Sequence, residues 1–268
     1  MERTTRKMFI TLTFVFGLFG VALMIAAFAT DHWIKSAPER QESNQMNETS
    51  GGSPTKNKGN INFGLFRGHR VLDYGSGGRL KIIKVECSLS FGVCMWTDLT
   101  DSTKKTAQLE KLVADYNNQT VKELIDFGLF SFGLWVSTIV TLALGVVWGL
   151  VSIMFAIFNI FGKPIETITG PAGLYLWNGL ALIFSLLACL LYVGLFVSGI
   201  QKNILPKEDV DIGWTSEGRT YLDYSFYLVV GAAGSFLFSV IVLMFSGLQL
   251  SCSYSSASEK EVDGMILY

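Results

Sequence analysis

The chain has 268 residues, 50% hydrophobic and only 16% charged, with a mean hydropathy of +0.41 and a formal net charge of −1. A near-neutral balance excludes a nucleic-acid binder, which needs a basic face. With two histidines and four cysteines in the whole chain, a clustered metal centre or a cofactor site is not expected.

Four apolar stretches, 8–29, 127–158, 171–200 and 224–250, contain no Asp, Glu, Lys, Arg or His. Each reaches the roughly 20 residues a helix needs to cross about 30 Å of hydrocarbon. The chain therefore reads as an all-α membrane protein, a four-transmembrane-helix bundle forming one tetraspan domain. Spans that move ions usually keep a buried ionisable group. These spans carry none, which argues for assembly and against pumping.

Taken in order, residues 1–7 hold Arg3, Arg6 and Lys7 directly before the first span, which places the N-terminus in the cytoplasm. Ala27-Phe28-Ala29 at the end of that span resembles a signal-peptidase site, yet the apolar run exceeds the 7–15 residues of a signal core. A retained membrane helix is the expectation. The loop 30–126 is then extracellular, and both Asn-X-Thr acceptors, at Asn47 and Asn118, fall inside it.

Within that loop, 38–60 is polar apart from Met46 and reads as a flexible insert. Order is expected to resume with a strand over Ile61-Asn62-Phe63-Gly64-Leu65-Phe66. Gly75-Ser76-Gly77-Gly78 turns the chain into a strand-like stretch from Arg79 to Glu86. Cys87 and Cys94 follow, separated by a Gly-bearing turn, so a disulfide across a short hairpin is geometrically reasonable in an oxidising compartment. A metal site is the weaker reading there, because neither His32 nor His69 lies near in sequence. From Lys105 to Phe127 the apolar residues Leu109, Leu112, Val113 and Tyr116 recur at helical spacing, which predicts a helix packed over the extracellular sheet.

The second span is long enough to tilt or protrude. Residues 159–170 form a short cytoplasmic loop, and Pro171 suits the first turn of the third span. Residues 201–223 are acidic and turn-rich and predict a second extracellular lobe. Cys189 reads as a small buried residue. The tail 251–268 returns to the cytoplasm; Cys252 stands where palmitoylation occurs, or remains a free thiol. Ile266-Leu267-Tyr268 has the hydrophobic-x-hydrophobic form that PDZ domains capture.

Helices in lipid associate through small residues, since lipid is as apolar as Leu. Ser137, Thr141, Gly145 and Gly149 line one face of the second span. Gly231, Ser235 and Ser239 do so on the fourth, Ala181, Ser185 and Cys189 on the third, and Ala22, Ala26 and Thr30 on the first. Packing within the bundle and a lateral interface with another membrane protein both use such stripes.

Trp33, Gly64-Leu65-Phe66, Cys87 and Cys94 resemble the first-loop pattern of the claudin-like tetraspan superfamily. The resemblance implies a four-helix bundle topped by a small extracellular β-sheet. Phe63-Gly64-Leu65-Phe66-Arg67-Gly68, the run Gly170-Pro171-Ala172-Gly173-Leu174-Tyr175-Leu176-Trp177-Asn178-Gly179 and the tail Asp263-Gly264-Met265-Ile266-Leu267-Tyr268 are more closely similar to the clarin family of sensory-cell tetraspans. The first loop departs from compact members by expansion at 38–60 and 98–126. His69 and Tyr74 stand where some members have Cys. The resemblance implies a non-enzymatic organiser of plasma-membrane complexes in sensory or epithelial cells, supporting actin-linked protrusions, synapses or hearing. The expected contacts are the lipid bilayer, membrane-protein partners and a PDZ scaffold, with no nucleic acid and no cofactor. A claudin-type junction protein and an auxiliary subunit of an ion channel are the alternatives.

Overall fold

The computed structural model describes residues 3–40, 58–74, 77–98, 107, 128–162 and 170–245. Asn47, Asn118, Cys252, the tail Ile266-Leu267-Tyr268 and nearly all of the helix expected over Lys105–Phe127 lie outside them.

Four long helices form the bundle: α1 (Arg3–Ala29), α2 (Phe132–Phe161), α3 (Pro171–Leu195, followed by a π-helical turn Phe196–Ile200) and α5 (Tyr224–Phe245). Each is long and apolar enough to cross a membrane. α1 packs on α2 and α5, and α3 on the same two helices, closing a ring. The inward faces are small and polar. α1 turns Thr13, Gly17, Gly20, Met24 and Ala27 inward, α2 turns Thr138, Thr141, Gly145, Gly149, Ser152, Ala156 and Asn159, and α3 turns Asn178, Ala181, Ser185 and Ala188. Large side chains such as Phe19, Met154, Ile183 and Leu190 are left on the outside, where lipid accepts them.

Five polar side chains in the spans bond within their own helix. Thr13 donates to the Phe9 carbonyl at 3.1 Å, Thr138 to Leu134 at 2.8 Å, Thr141 to Ser137 at 2.8 Å, Asn178 to Leu174 at 2.8 Å and Ser239 to Ser235 at 3.1 Å. A hydroxyl in hydrocarbon without water must find an internal acceptor, and the carbonyl one turn back is the nearest.

Thr141, Gly145, Gly149, Ala181, Ser185, Ser235 and Ser239 of the expected stripes are buried, and the stripes depart from the inward face at a few positions. Ser137 is exposed and Thr138 is buried instead, because two adjacent small polar residues differ by 100° around the helix. Gly231 is also exposed, with the neighbouring Ala232 and Ala233 turned inward, while Ser235 and Ser239 are buried. On α1, Ala22 is exposed and Ala26 half-buried, and the glycines carry the contact instead. Phe236 fills the space these glycines leave. A Cβ on Gly20 would lie 3.0 Å from its Cζ, and one on Gly149 would lie 3.1 Å from the same atom and 2.5 Å from Val21 Cγ2. Gly149→Leu is expected to destabilise the bundle by at least the 1–3 kcal/mol typical of overpacking. Gly179→Leu, at a position where a Cβ meets nothing within 4 Å, should leave the unfolding midpoint in detergent almost unchanged. Equal midpoints for the two variants would rule out this packing.

The rest of the described chain is a β-rich lobe on one end of the bundle: β1 (Ile34–Ser36), β2 (Glu39–Arg40), β3 (Gly59–Phe63), β4 (Arg67–Asp73), β5 (Gly78–Ser88), β6 (Val93–Thr97), β7 (Phe130–Ser131), a short helix α4 (Lys207–Asp211), β8 (Trp214–Thr215) and β9 (Thr220–Leu222). Seven strands pair antiparallel in the order β7-β6-β5-β4-β3-β1-β9, and β2 pairs with β8. The fold is therefore not all-α, and the sheet is larger than the small one expected. Six of its strands come from the segment between the first two spans, and the second loop adds β9 at its edge and β8 to the separate pair.

Several boundaries also differ. Phe130–Ser131 pairs with β6, so the second helix starts at Phe132 rather than at 127, with Ser131 as its N-cap, and it runs past 158 to Phe161. Gly128 precedes it at φ +72, and a Cβ there would fall 2.5 Å from the Leu205 carbonyl oxygen. The segment 38–60 is structured at both ends, by β2 and the start of β3. Strand order begins at Gly59 and stops at Phe63, with Gly64-Leu65-Phe66 turning the chain into β4.

Candidate functional site at the junction of lobe and bundle

Trp33 emerges just after α1 and is fully buried. Its indole Nε1 donates to the Ala27 carbonyl at 2.7 Å, satisfying one of the oxygens a helix end leaves without a partner. Its ring lies 4.5 Å from that of Tyr192 on α3. Its backbone N–H donates to Phe63 at 2.7 Å, and its carbonyl accepts from Asp223 at 2.9 Å. One residue thus joins α1, the sheet, α3 and the start of α5.

Gly64-Leu65-Phe66 sits beside it. A Cβ on Gly64 would fall 2.7 Å from the Thr30 carbonyl oxygen and 2.8 Å from Asp31 Cα, so only glycine lets the turn pass so close to the α1 exit. Leu65 is buried, and its carbonyl accepts from Trp135 Nε1 of α2 at 2.9 Å. Phe66 is half-exposed, with ring centroids 6.4 Å from both Phe28 and Trp135. With Phe132, these rings form an aromatic girdle at the lobe end of the bundle, and Trp135 is of the residue type enriched where spans meet water.

A second set of contacts clamps the two loops together. His32 Nδ1 lies 3.0 Å from the Asp223 carboxylate, and its ring stacks on Tyr224 at 4.8 Å. Thr30 and Ser225 share a hydroxyl–hydroxyl bond of 2.7 Å. Higher in the lobe, Arg70 is buried and forms an ion pair with Asp209 of α4, whose other oxygen accepts from Tyr74 at 2.8 Å. Lys81 donates to Asp98 at 2.6 Å, and Arg70 lies 3.7 Å from the same carboxylate. Arg70, Leu72, Tyr74, Arg79 and Lys81 line a cavity of about 370 Å³ beside this cluster.

Burial opposes charge on Asp98, but the Lys81 hydrogen bond and the neighbouring cations outweigh it and hold its carboxyl below the usual value. Tyr74 is pushed up to about 12, first by burial and then by its bond to the Asp209 carboxylate. A raised folded-state value means that the fold favours the protonated phenol. The resulting stabilisation is complete below the ordinary tyrosine value near 10 and is lost as pH rises through about 12. The gap in unfolding midpoint between the natural chain and Tyr74→Phe should therefore narrow as pH is raised from about 9 to about 12; a constant gap would exclude the phenol as its source.

The Cys87–Cys94 disulfide staples β5 to β6, where the two residues are directly paired in register. Cys189 is half-buried on α3. At the opposite end of the bundle, Gly170 caps α3 and Pro171 opens it. Trp177 stacks against Trp148 at 5.3 Å and Phe155 at 5.7 Å, and Asn178 is fully buried beside it in sequence. The first-loop and third-span motifs thus lie at opposite ends of the bundle and are not brought together.

Arg70, Asp209 and Trp135 were not singled out by sequence. For Arg70 the missed signal is its parity: in β4 it shares a face with the buried Gly68 and Leu72, an inward position where a cation requires a partner. Among the described residues, no group of three His, Cys, Asp or Glu side chains is placed to hold a metal.

Four apolar membrane helices crowned by a disulfide-stapled lobe built from both loops on that end define a four-span membrane protein. A family model described as Clarin-2-like matches residues 119–207. Human Clarin-3 is 29% identical over 232 residues, covering 85% of this chain and 81% of that protein. Human Clarin-1 is 26% identical over 208 residues, covering 78% and 72%, and rat Clarin-3 is 32% identical over 97 residues, covering 36% and 43%. Over most of its length the chain is similar to clarins.

Proposed function

We propose that this protein is a non-enzymatic organiser of membrane complexes at the plasma membrane of sensory or epithelial cells, with its lobe extracellular and both termini cytoplasmic. The observation that carries the reading is the junction itself. Trp33, Gly64 and Trp135 fix a two-loop lobe to an uncharged bundle, giving a stable presentation surface on a membrane anchor. On this orientation Asn47 and Asn118 are glycan acceptors on the lobe's side. Cys252 lies at the inner leaflet, and Ile266, Leu267 and Tyr268 face a PDZ-type scaffold. The clarin resemblance supports a place at actin-linked protrusions or synapses.

Proximity labelling from the tagged chain in its native epithelium is expected to enrich cortical actin scaffolds, with PDZ-scaffold capture lost on deleting residues 266–268. Polymeric strands with raised transepithelial resistance in junction-free cells would replace this reading with a claudin-type junction role. Co-purification with a channel and altered gating would replace it with an auxiliary-subunit role.

A further inference from the structure

The β5–β6 hairpin tip, Leu89-Ser90-Phe91-Gly92, combines exposure, apolarity and a defined direction. Leu89 is 82% exposed and Phe91 39%. From Cys87 to Thr97 the chain carries no Asp, Glu, Lys, Arg or His. A water-facing hairpin end normally takes polar and turn-forming residues.

Two chain paths fix where the tip points. β7 runs antiparallel to β6, pairs Ser131 with Val93, and continues directly into α2, whose first amide, at Phe132, donates to the Gly92 carbonyl at 3.0 Å. The tip therefore lies level with the start of a membrane-spanning helix, one turn from Trp135 in the aromatic girdle. Independently, β4 leaves the girdle at Arg67 and pairs there with Lys84. β5 continues four residues past that pairing to Ser88, about 13 Å at the rise of a strand. The tip thus projects from the sheet toward the bundle end.

The end is also stiff. The Cys87–Cys94 disulfide closes the hairpin immediately behind it, the Gly92 amide donates to Ser88 at 3.0 Å, and the Ser88 and Ser90 hydroxyls bond at 2.9 Å. Gly92 takes φ +65, which completes the tight turn.

We propose that this tip is a membrane finger. Leu89 and Phe91 enter the interfacial layer of the leaflet on the lobe's side, continuing the lipid-facing surface of the spans onto the sheet. Lipid is the occupant because the patch is continuous with a surface already committed to the bilayer and is free of charge. Buried apolar area supplies the attraction, as for other interfacial segments. A finger fixed by a disulfide adds a contact outside the bundle and so restricts how the lobe tilts over the membrane.

The full chain in phosphatidylcholine nanodiscs, with benzoylphenylalanine replacing Leu89, tests this. Irradiation is expected to give phospholipid adducts at position 89 at least tenfold above those from the same probe at Leu80, which is exposed on β5 but about nine residues back along the strand, or roughly 30 Å. Equal adduct yields at the two positions, or attachment at 89 to protein alone, would overturn the proposal. A second measurement uses the unaltered chain: hydroxyl-radical oxidation of Phe91 should be suppressed in nanodiscs relative to the exposed Tyr221. Comparable oxidation of the two would equally overturn it.

Discussion

Trp33→Ala is expected to lower the unfolding midpoint more than truncation of any lipid-facing aromatic residue. The side chain is fully buried, and its removal opens a cavity between the end of α1 and Tyr192. Large aromatic-to-alanine changes in packed interiors cost about 3–5 kcal/mol. The Ala27 carbonyl also loses its shorter hydrogen bond, at 2.7 Å, and keeps only the 3.4 Å contact from the Thr30 hydroxyl among the described side chains. Trp33→Phe separates the two contributions, because it keeps most of the packing and removes only the N–H, for an expected loss of about 1–2 kcal/mol. Thermal unfolding in detergent reads both variants. If Trp33→Phe proved as damaging as Trp33→Ala, the ring packing would not be the main contribution.

Arg70→Ala should be comparably severe, for an electrostatic reason. Among the described residues it leaves the buried Asp209 carboxylate with the Tyr74 hydroxyl as its side-chain partner. Removing one half of a buried pair typically costs about 3–5 kcal/mol, whereas replacing both halves with apolar groups of similar volume is often close to neutral. The double variant Arg70→Met with Asp209→Leu is therefore expected to recover most of the stability lost in the single. Hydrogen exchange across β4, β5 and α4 would localise the effect to the lobe. A double variant no more stable than the single would mean that the charge left behind is not the cause.

The spans were legible because an uncharged apolar run longer than about 20 residues has few other soluble or membrane explanations. Their ends were not. Phe127 to Ser131 is apolar enough to continue a helix, and only the pairing of Phe130 with Cys94 converts its last two residues to strand. The inward faces were legible to within one residue. At Ser137 and Thr138 the sequence offers two small hydroxyls side by side, and the rotation of the helix in the bundle decides between them. The disulfide hairpin was visible because its partners are close in sequence. The Arg70–Asp209 pair was not, because its halves are 139 residues apart and are joined only by tertiary structure. The reach of the second loop into the sheet was hidden for a further reason: β8 and β9 are two and three residues long, too short to show an alternation.

The pairing of β1 with β9 also sets an order on biosynthesis. β1 is among the first parts of the lobe to be made, yet Ile34 pairs with Leu222, which is synthesised only after the third span. Until then Ile34, Lys35 and Ser36 present an open strand edge, the kind of edge that recruits other chains. The growing protein must carry that edge through the insertion of two further helices before its own sequence supplies the strand that covers it. A chain stopped between Ile200 and Thr220 would keep three membrane helices and leave the β1 edge that β9 covers open.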